Sequence, residues 1–312
     1  MKMNRFLLTG CAGFIGSHAL DLLLSHGHFV AGVDKMTYAA DEENIKRHES
    51  NPNFKFFELD ICDQAGIKNI IQENNINCII NFGAETHVDN SILGNNCFID
   101  SNITGVKSLM ENCKDLNIPI CHISTDEVYG PIKDGSFSEN DKLSPKNFYS
   151  ATKAAAEHIV CAYANTFDLD YVMVRMSNNY GPRQNSEKFV PTIIRSLKNN
   201  KKIPLYGDGK NVRDWIYVED SVKIIYNIIY FTNFDNKVYN VSLCDERNNV
   251  EVIQTILDHF GLDWDDCVEF VDDRLGHDSR YSITNHKMLN LVDFKTTSFE
   301  DGIRRTIEEY LK

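Results

Sequence analysis

The 312-residue chain is defined first by what it lacks. None of its nine cysteines (Cys11, Cys62, Cys78, Cys97, Cys113, Cys121, Cys161, Cys244 and Cys267) sits in a C-x-x-C pair. That excludes a zinc knuckle and a thioredoxin-like motif, and no metal is expected. An odd, unpaired set of this size points to a reducing compartment, the cytoplasm. There is no basic cluster. Lys and Arg total 32 against 45 Asp and Glu, a formal charge of −13, so nucleic acid is not an expected partner. No apolar run approaches the length of a membrane span. Internal repeats, low-complexity tracts and a Pro/Gly-rich linker are also missing. Leu7-Leu8-Thr9-Gly10-Cys11 looks like a lipoprotein cleavage box, but the apolar part before it, Phe6 to Leu8, is too short for a signal-peptide core.

What is present fits a folded globular chain: 42% hydrophobic and 25% charged residues. Its acidity adds a condition. An anionic substrate must be met by local cations or backbone N–H groups, because the global field repels it.

The first half alternates short apolar runs with amphipathic segments. Phe6–Thr9, Phe29–Asp34, Phe54–Leu59, Cys78–Phe82, Ile118–Ser124 and Tyr171–Met176 read as buried strands. Ile15–His26, Gln64–Glu73, Phe98–Leu116 and Phe148–Phe167 read as helices. Continuous apolar strands separated by helices predict an α/β fold, a Rossmann-like doubly wound parallel sheet. After Ser177 the pattern loosens, predicting a smaller mixed α/β substrate domain. The expected division is residues 1–176 for dinucleotide binding, with 213–232 crossing back to that domain, and 177–212 plus 233–312 for the substrate. A cleft between closely joined lobes is the expected site.

The first strand runs into Thr9-Gly10-Cys11-Ala12-Gly13-Phe14-Ile15-Gly16. Glycines spaced G-x-x-G-x-x-G between a strand and a helix let a pyrophosphate approach the helix N-terminus. Asp34 ends strand two, where a carboxylate accepts the ribose hydroxyls and repels a 2′-phosphate, favouring NAD over NADP. Asp60 and Ile61, after strand three, are placed to flank the adenine.

Tyr149-Ser150-Ala151-Thr152-Lys153 opens a helix, and residues four apart share a face. A phenol with a pKa of about 10 needs help to act as a base at neutral pH. The Lys153 ammonium and a nicotinamide ring would lower it. Strand five leads into Ser124-Thr125-Asp126-Glu127. Thr125 is placed to hydrogen-bond a reacting sugar hydroxyl. Two adjacent carboxyls in a partly dry cleft can split their pKa values, giving one acid and one base. Elimination of water needs that combination.

These residues resemble the extended short-chain dehydrogenase/reductases, and within them the nucleoside-diphosphate-glucose 4,6-dehydratases. Val33–Ala40, Gly83–Ser91, Ser177–Pro182, Glu187-Lys188, Tyr206–Trp215 and Asp273–Asp278 are similar to family motifs, so the likeness runs over nearly the whole chain. Gly83 stands for a usual Ala, Asn90 for a usual Arg and Leu275 for a usual Pro, and Pro131–Lys146 is shorter than in many bacterial members. The resemblance implies cofactor contacts at Gly10, Gly13, Phe14, Ile15, Gly16, Asp34, Lys35, Met36, Thr37, Asp60, Ile61, Gly83, Ala84, Glu85, Ser101, Tyr149, Lys153 and Asn179. It implies substrate contacts at His87, Thr125, Asn178, Glu187, Lys188, Arg213, Asn248, Asp273, Arg274 and His277. It also implies a mechanism. Tyr149 takes the 4-hydroxyl proton as C4 gives hydride to NAD, Glu127 removes the C5 proton, Asp126 protonates the leaving 6-hydroxyl, and hydride returns to C6. Lys153 holds the nicotinamide ribose and tunes Tyr149. In the family, the helices matching Phe98–Leu116 and Phe148–Phe167 build a dimer interface, so a homodimer is expected. The alternatives are a 4-epimerase or decarboxylase, which need Tyr149 and Lys153 without the acid pair, and a non-catalytic dinucleotide sensor. Thymine and uracil both stay open as the nucleotide base.

Overall fold

A computed structural model describes residues 4–87, 91, 96–273, 278–292 and 294–312. The strands are β1 (Arg5–Thr9), β2 (Phe29–Asp34), β3 (Phe54–Glu58), β4 (Cys78–Asn81), β5 (Ile120–Thr125), β6 (Tyr171–Met176), β7 (Asn178–Tyr180), β8 (Ile203–Tyr206), β9 (Val212–Tyr217), β10 (Lys237–Val241), β11 (Glu246–Asn248) and β12 (Val268–Val271). Seven of them form one sheet in the order β10-β6-β5-β4-β1-β2-β3, every neighbouring pair parallel. Both faces are covered, which explains why β1, β4 and β5 are buried without alternation. The order reverses between β1 and β4, and ligands bind beyond the carboxyl ends of strands at such a point.

One face buries Phe6, Leu8, Leu20 and Val30 with Ile224 and Ile228 of helix Val218–Thr232. The other buries Leu7, Val33, Ile79, Leu109 and Val160, the last two from helices Gly105–Leu116 and Phe148–Phe167. A third cluster, around Tyr180, Ile193, Trp215, Val252 and Ile303, lies under the second half. There β7, β9 and β11 form a three-stranded sheet and β8 pairs with β12.

Three boundaries differ from the sequence expectation. Segment 213–232 does not cross back as a unit, since Val212–Tyr217 stays in the small sheet and only the following helix packs on helix Phe14–Ser25. Lys237–Val241 returns to the large sheet beside β6, because Tyr239 and Val241 are buried there. The helix expected over Phe98–Leu116 is interrupted by a π-turn at Asp100–Thr104, a widening often found at functional sites.

Candidate active site

The turn after β1 is shaped by sterics. Gly10 has φ +69°, and a Cβ there would lie 2.8 Å from the Gly83 amide nitrogen. At Gly16 it would lie 2.0 Å from the Gly10 carbonyl oxygen. Gly13 caps helix Phe14–Ser25 without a side chain, leaving the first-turn N–H groups directed at the cleft. That cleft spans about 1230 Å³, its open mouth included. Gly10, Gly13, Phe14, Ile15, Gly16, Asp34, Lys35, Thr37, Ile61, Gly83, Ala84, Glu85, Ser101, Tyr149 and Lys153 line it, together with Glu187 and Lys188.

Asp34 accepts from the Ala12 amide at 3.0 Å and the Met36 amide at 3.0 Å, which ties the end of β2 to the glycine turn. Burial raises its pKa against those two hydrogen bonds. Lys35 donates to Ser101 at 2.7 Å and lies 3.7 Å from Asp60. Met36, Asp60 and Asn179 do not line the cleft. The Met36 amide serves Asp34, Asp60 accepts from the Cys62 amide at 2.9 Å, and the Asn179 amide group donates to the Ser177 carbonyl at 3.0 Å.

β5 delivers the acid pair at the large sheet's carboxyl edge. Thr125 caps the turn Asp126–Tyr129, its hydroxyl accepting from the Glu127 amide at 3.3 Å and donating to Asp126 at 3.3 Å. The two acids then part company. Asp126 is buried, its second carboxyl oxygen has no protein partner, and its pKa is pushed up to about 8. Burial is the main cause, followed by the charges of Glu127 and buried Asp214. Glu127 is only half-buried and accepts from the Asn147 side-chain amide at 2.9 Å. Burial raises its pKa too, but Asn147, Arg213 and Lys188 oppose the rise. Burial thus pushes both carboxyls up, and Glu127 has the amide donor that Asp126 lacks.

Helix Phe148–Phe167 opens on a capping box between Asn147 and Ser150, which sets Tyr149 and Lys153 over the end of β5. The Tyr149 phenol does not behave as expected. Burial and the charge of Glu127 raise its pKa, with only the Thr125 hydroxyl opposing. Lys153 donates to the Ile123 carbonyl at 2.6 Å and is itself pushed down to about 8 by burial, against the charge of Glu157. Lys153 is not among the groups that oppose the rise at Tyr149.

Arg213 donates to the carbonyls of Val212 at 2.8 Å and Asp278 at 2.9 Å, and stacks on the Tyr281 ring at 4.6 Å. Its charge is felt by both acids. Glu187 lies 3.8 Å from His87, and Lys188 donates to the Thr86 carbonyl at 3.2 Å, joining the second half to the loop after β4. Asn178 is held in β7 opposite Trp215. Asp273 packs on the Gly207 turn. Asn248 is the N-cap of helix Asn249–Phe260, its side-chain oxygen accepting from the Glu251 amide at 2.9 Å. Arg274 and His277 lie outside the described residues, as does Asn90.

Sequence reasoning missed several supporting groups. Asn102 exchanges hydrogen bonds with the Glu85 backbone at 2.9 and 3.0 Å and donates to Thr152 at 2.9 Å, pinning the loop after β4 to the tyrosine helix. Glu157 accepts from Ser124 at 2.5 Å and from Arg175 at 2.7 Å below the cleft floor. Gln184 and Asn185 line the cleft. Only Asn147 had a legible signal, an Asn immediately before a helical run.

Fold and site together define an extended short-chain dehydrogenase/reductase. A family model described as GDP-mannose 4,6 dehydratase matches residues 7–306, and the chain belongs to that family. The low-salt glycan biosynthesis protein Agl12 of Haloferax volcanii is 41% identical, with 98% of each chain covered. A dTDP-glucose 4,6-dehydratase of Escherichia coli is 37% identical over 98% of this chain and 93% of its own. The crystal structure of DesIV, a dTDP-glucose 4,6-dehydratase from Streptomyces venezuelae with NAD bound, superposes with a TM-score of 0.93 at 36% identity, covering 98% of this chain and 97% of that one. A UDP-glucuronic acid 4-epimerase from Bacillus cereus, 26% identical, reaches a TM-score of 0.91 over 98% of each chain. Backbone shape alone therefore does not separate dehydration from epimerisation, and the side chains must.

Proposed function

We propose that the protein is an NAD-dependent nucleoside-diphosphate-glucose 4,6-dehydratase, converting dTDP- or UDP-glucose to the 4-keto-6-deoxyglucose nucleotide and water. The observation that carries this reading is the acid pair beside Tyr149, with Asp126 lifted to about 8 and Glu127 steadied by Asn147. Epimerisation has no use for such a pair; elimination needs both members. Sequence relatives that bear the dehydratase name, and their crystal structures with NAD, support the assignment.

The residues present fit NAD. A Cβ at Gly10 or Gly16 would fill the cradle, the helix N-terminus beside it has no side-chain cap, and the Asp34 carboxylate disfavours a 2′-phosphate. When bound, NAD accepts hydride from C4 of the sugar and returns it to C6, so no net redox occurs, and its positive ring supplies the charge that Tyr149 lacks. Tyr149 takes the C4 hydroxyl proton, and Thr125 orients that hydroxyl. The C4 ketone acidifies the C5 proton, which Glu127 removes. Asp126 protonates the departing 6-oxygen, releasing water. Lys153 holds the nicotinamide ribose. Arg213 and Lys188 meet the diphosphate locally, as a chain with charge −13 requires.

The first half carries the cofactor and residues 177–212 with much of 233–312 the nucleotide sugar. A homodimer through helices Gly105–Leu116 and Phe148–Phe167, a cytoplasmic location and a place in rhamnose or related deoxysugar synthesis belong to the same reading. No described helix is long and apolar enough to cross a membrane.

The test is direct. Purified protein incubated with dTDP-glucose or UDP-glucose yields the 4-keto-6-deoxy product, and the preferred base follows from the two rates. Glu127→Gln still reduces NAD on mixing but stalls before water is lost. Recovery of a 4-epimer instead would transfer the protein to the epimerases.

A further inference from the structure

Asn147 joins two jobs in one side chain. Its oxygen accepts from the Ser150 amide at 2.8 Å, capping the helix that carries Tyr149 and Lys153. Its NH₂ group donates to Glu127 Oε2 at 2.9 Å. Ser or Asp would cap a helix equally well, but among the strong caps Asn carries its acceptor and its donors on two separate atoms, so it can cap and still reach Glu127. A carboxylate accepts and does not need to donate, so an amide N–H aimed at it favours the ionised form. Asp126, the neighbouring acid, receives no such donor. Among the described residues its side chain is bonded only by the Thr125 hydroxyl, and its Oδ2 is buried without a partner among them.

We infer that Asn147 is a positioning residue that assigns the two acids their roles, holding Glu127 ionised as the base while also fixing the start of the helix that bears Tyr149. The part about the base's role rests on the dehydratase reading; the part about its ionisation does not. Other groups also face Glu127. Arg213 from β9 and Lys188 before helix Phe189–Lys198 favour its charge, and Asp278 disfavours it. Asp126 on its own turn, Tyr149 on the capped helix and Tyr281 after Asp278 are in turn raised by the charge of Glu127. Among these neighbours, Asn147 makes a direct hydrogen bond to the carboxylate. It also comes from a different element than Glu127, so the base and the helix cannot shift independently.

The decisive variant is Asn147→Ser, which keeps a capping oxygen and deletes the amide donor. Its melting temperature should match the wild type. Without substrate, the Glu127 carboxyl, read as an infrared titration difference against Glu127→Gln, should titrate about one pH unit or more higher than in the wild type. With dTDP-glucose or UDP-glucose, whichever the wild type prefers, NAD reduction on mixing should persist. C5 hydrogen exchange should fall about tenfold or more at neutral pH and return as pH rises past the new midpoint, whereas water loss falls with it and stays low above about pH 8, where Asp126 gives up its proton. KM should change little. Asn147→Asp, which keeps the cap and adds a like charge, should shift the titration further in the same direction. A merely structural cap predicts no pH rescue and no infrared shift. An unmoved Glu127 titration in Asn147→Ser overturns the inference. A shifted titration in a protein whose wild type forms no 4-keto-6-deoxy product would instead overturn the dehydratase reading and leave Asn147 as the group that sets the charge of Glu127.

Discussion

The two walls of the cleft are built on different principles. One wall consists of strand ends. β1, β2, β4 and β5 stand in fixed parallel register, Thr9 beside Val33 and Asn81, and Asn81 beside His122, so Gly10, Asp34 and Ser124 emerge at set heights. The other wall has Gln184, Asn185, Glu187 and Lys188, held like the nearby Arg213 by side-chain bonds to carbonyls, such as Gln184 to Asn179, Lys188 to Thr86 and Arg213 to Asp278. Backbone ladders fix the first wall to within a hydrogen bond, whereas the second is as well placed as its individual side chains. Changes to the first wall should therefore strike cofactor and chemistry, and changes to the second should strike substrate affinity.

The sharpest way to break that contrast is Tyr149→Phe. It removes the proton acceptor for the first step and should slow NAD reduction by about 10²–10⁴-fold, read as nicotinamide absorbance in a single turnover. Rapid reduction in that variant would remove Tyr149 from the chemistry. Next comes Gly16→Ala, whose methyl would sit 2.0 Å from the Gly10 carbonyl oxygen. Backbone has to move, so NAD affinity should fall steeply in calorimetry and the melting temperature should drop. Arg213→Ala tests the second wall. Loss of a guanidinium–phosphate contact should raise KM for the nucleotide sugar about tenfold or more while NAD affinity stays put. An unchanged KM would mean that Arg213 serves only Asp278 and Tyr281.

Asp126→Asn gives the smallest and most diagnostic effect, on stability. The native carboxyl holds its proton up to about pH 8, whereas in the unfolded chain it ionises near the ordinary 3.8. Between those values the native state binds the extra proton, so this group lowers stability progressively as pH rises. The neutral Asn variant should melt at the same temperature as the wild type near pH 4 and about 3 °C or more higher near pH 8, by calorimetry across the range. In the wild type, elimination should fade as pH climbs through about 8, because the acid has lost its proton. A wild type whose melting temperature tracks the variant at every pH would show an ordinary, ionised Asp126.

Much of this was legible along the chain. Runs such as Phe29–Asp34 and Tyr171–Met176 match their strands residue for residue, and helix Phe148–Phe167 matches at both ends, because burial on two faces and an Asn cap leave direct marks in sequence. The capping role of Asn248 was not legible because a polar residue at a helix start looks the same whether it binds a ligand or caps. Lys237–Val241 was assigned to the wrong half because its pairing with β6 spans more than sixty residues and leaves no local trace.

Sequence by itself determined the parallel sheet, the glycine turn and the presence of Tyr149, Lys153, Asp126 and Glu127 at strand and helix ends, since periodicity and steric need at glycine are local. It could not decide how those groups are charged. Asp126 and Glu127 are chain neighbours of nearly equal chemistry, and nothing local tells them apart. Tertiary structure does so by burying one beside Asp214 and giving the other the amide of Asn147. The free energy of a charge depends on solvent access and on donors from distant elements, and both exist only once β5, β9 and helix Phe148–Phe167 have come together.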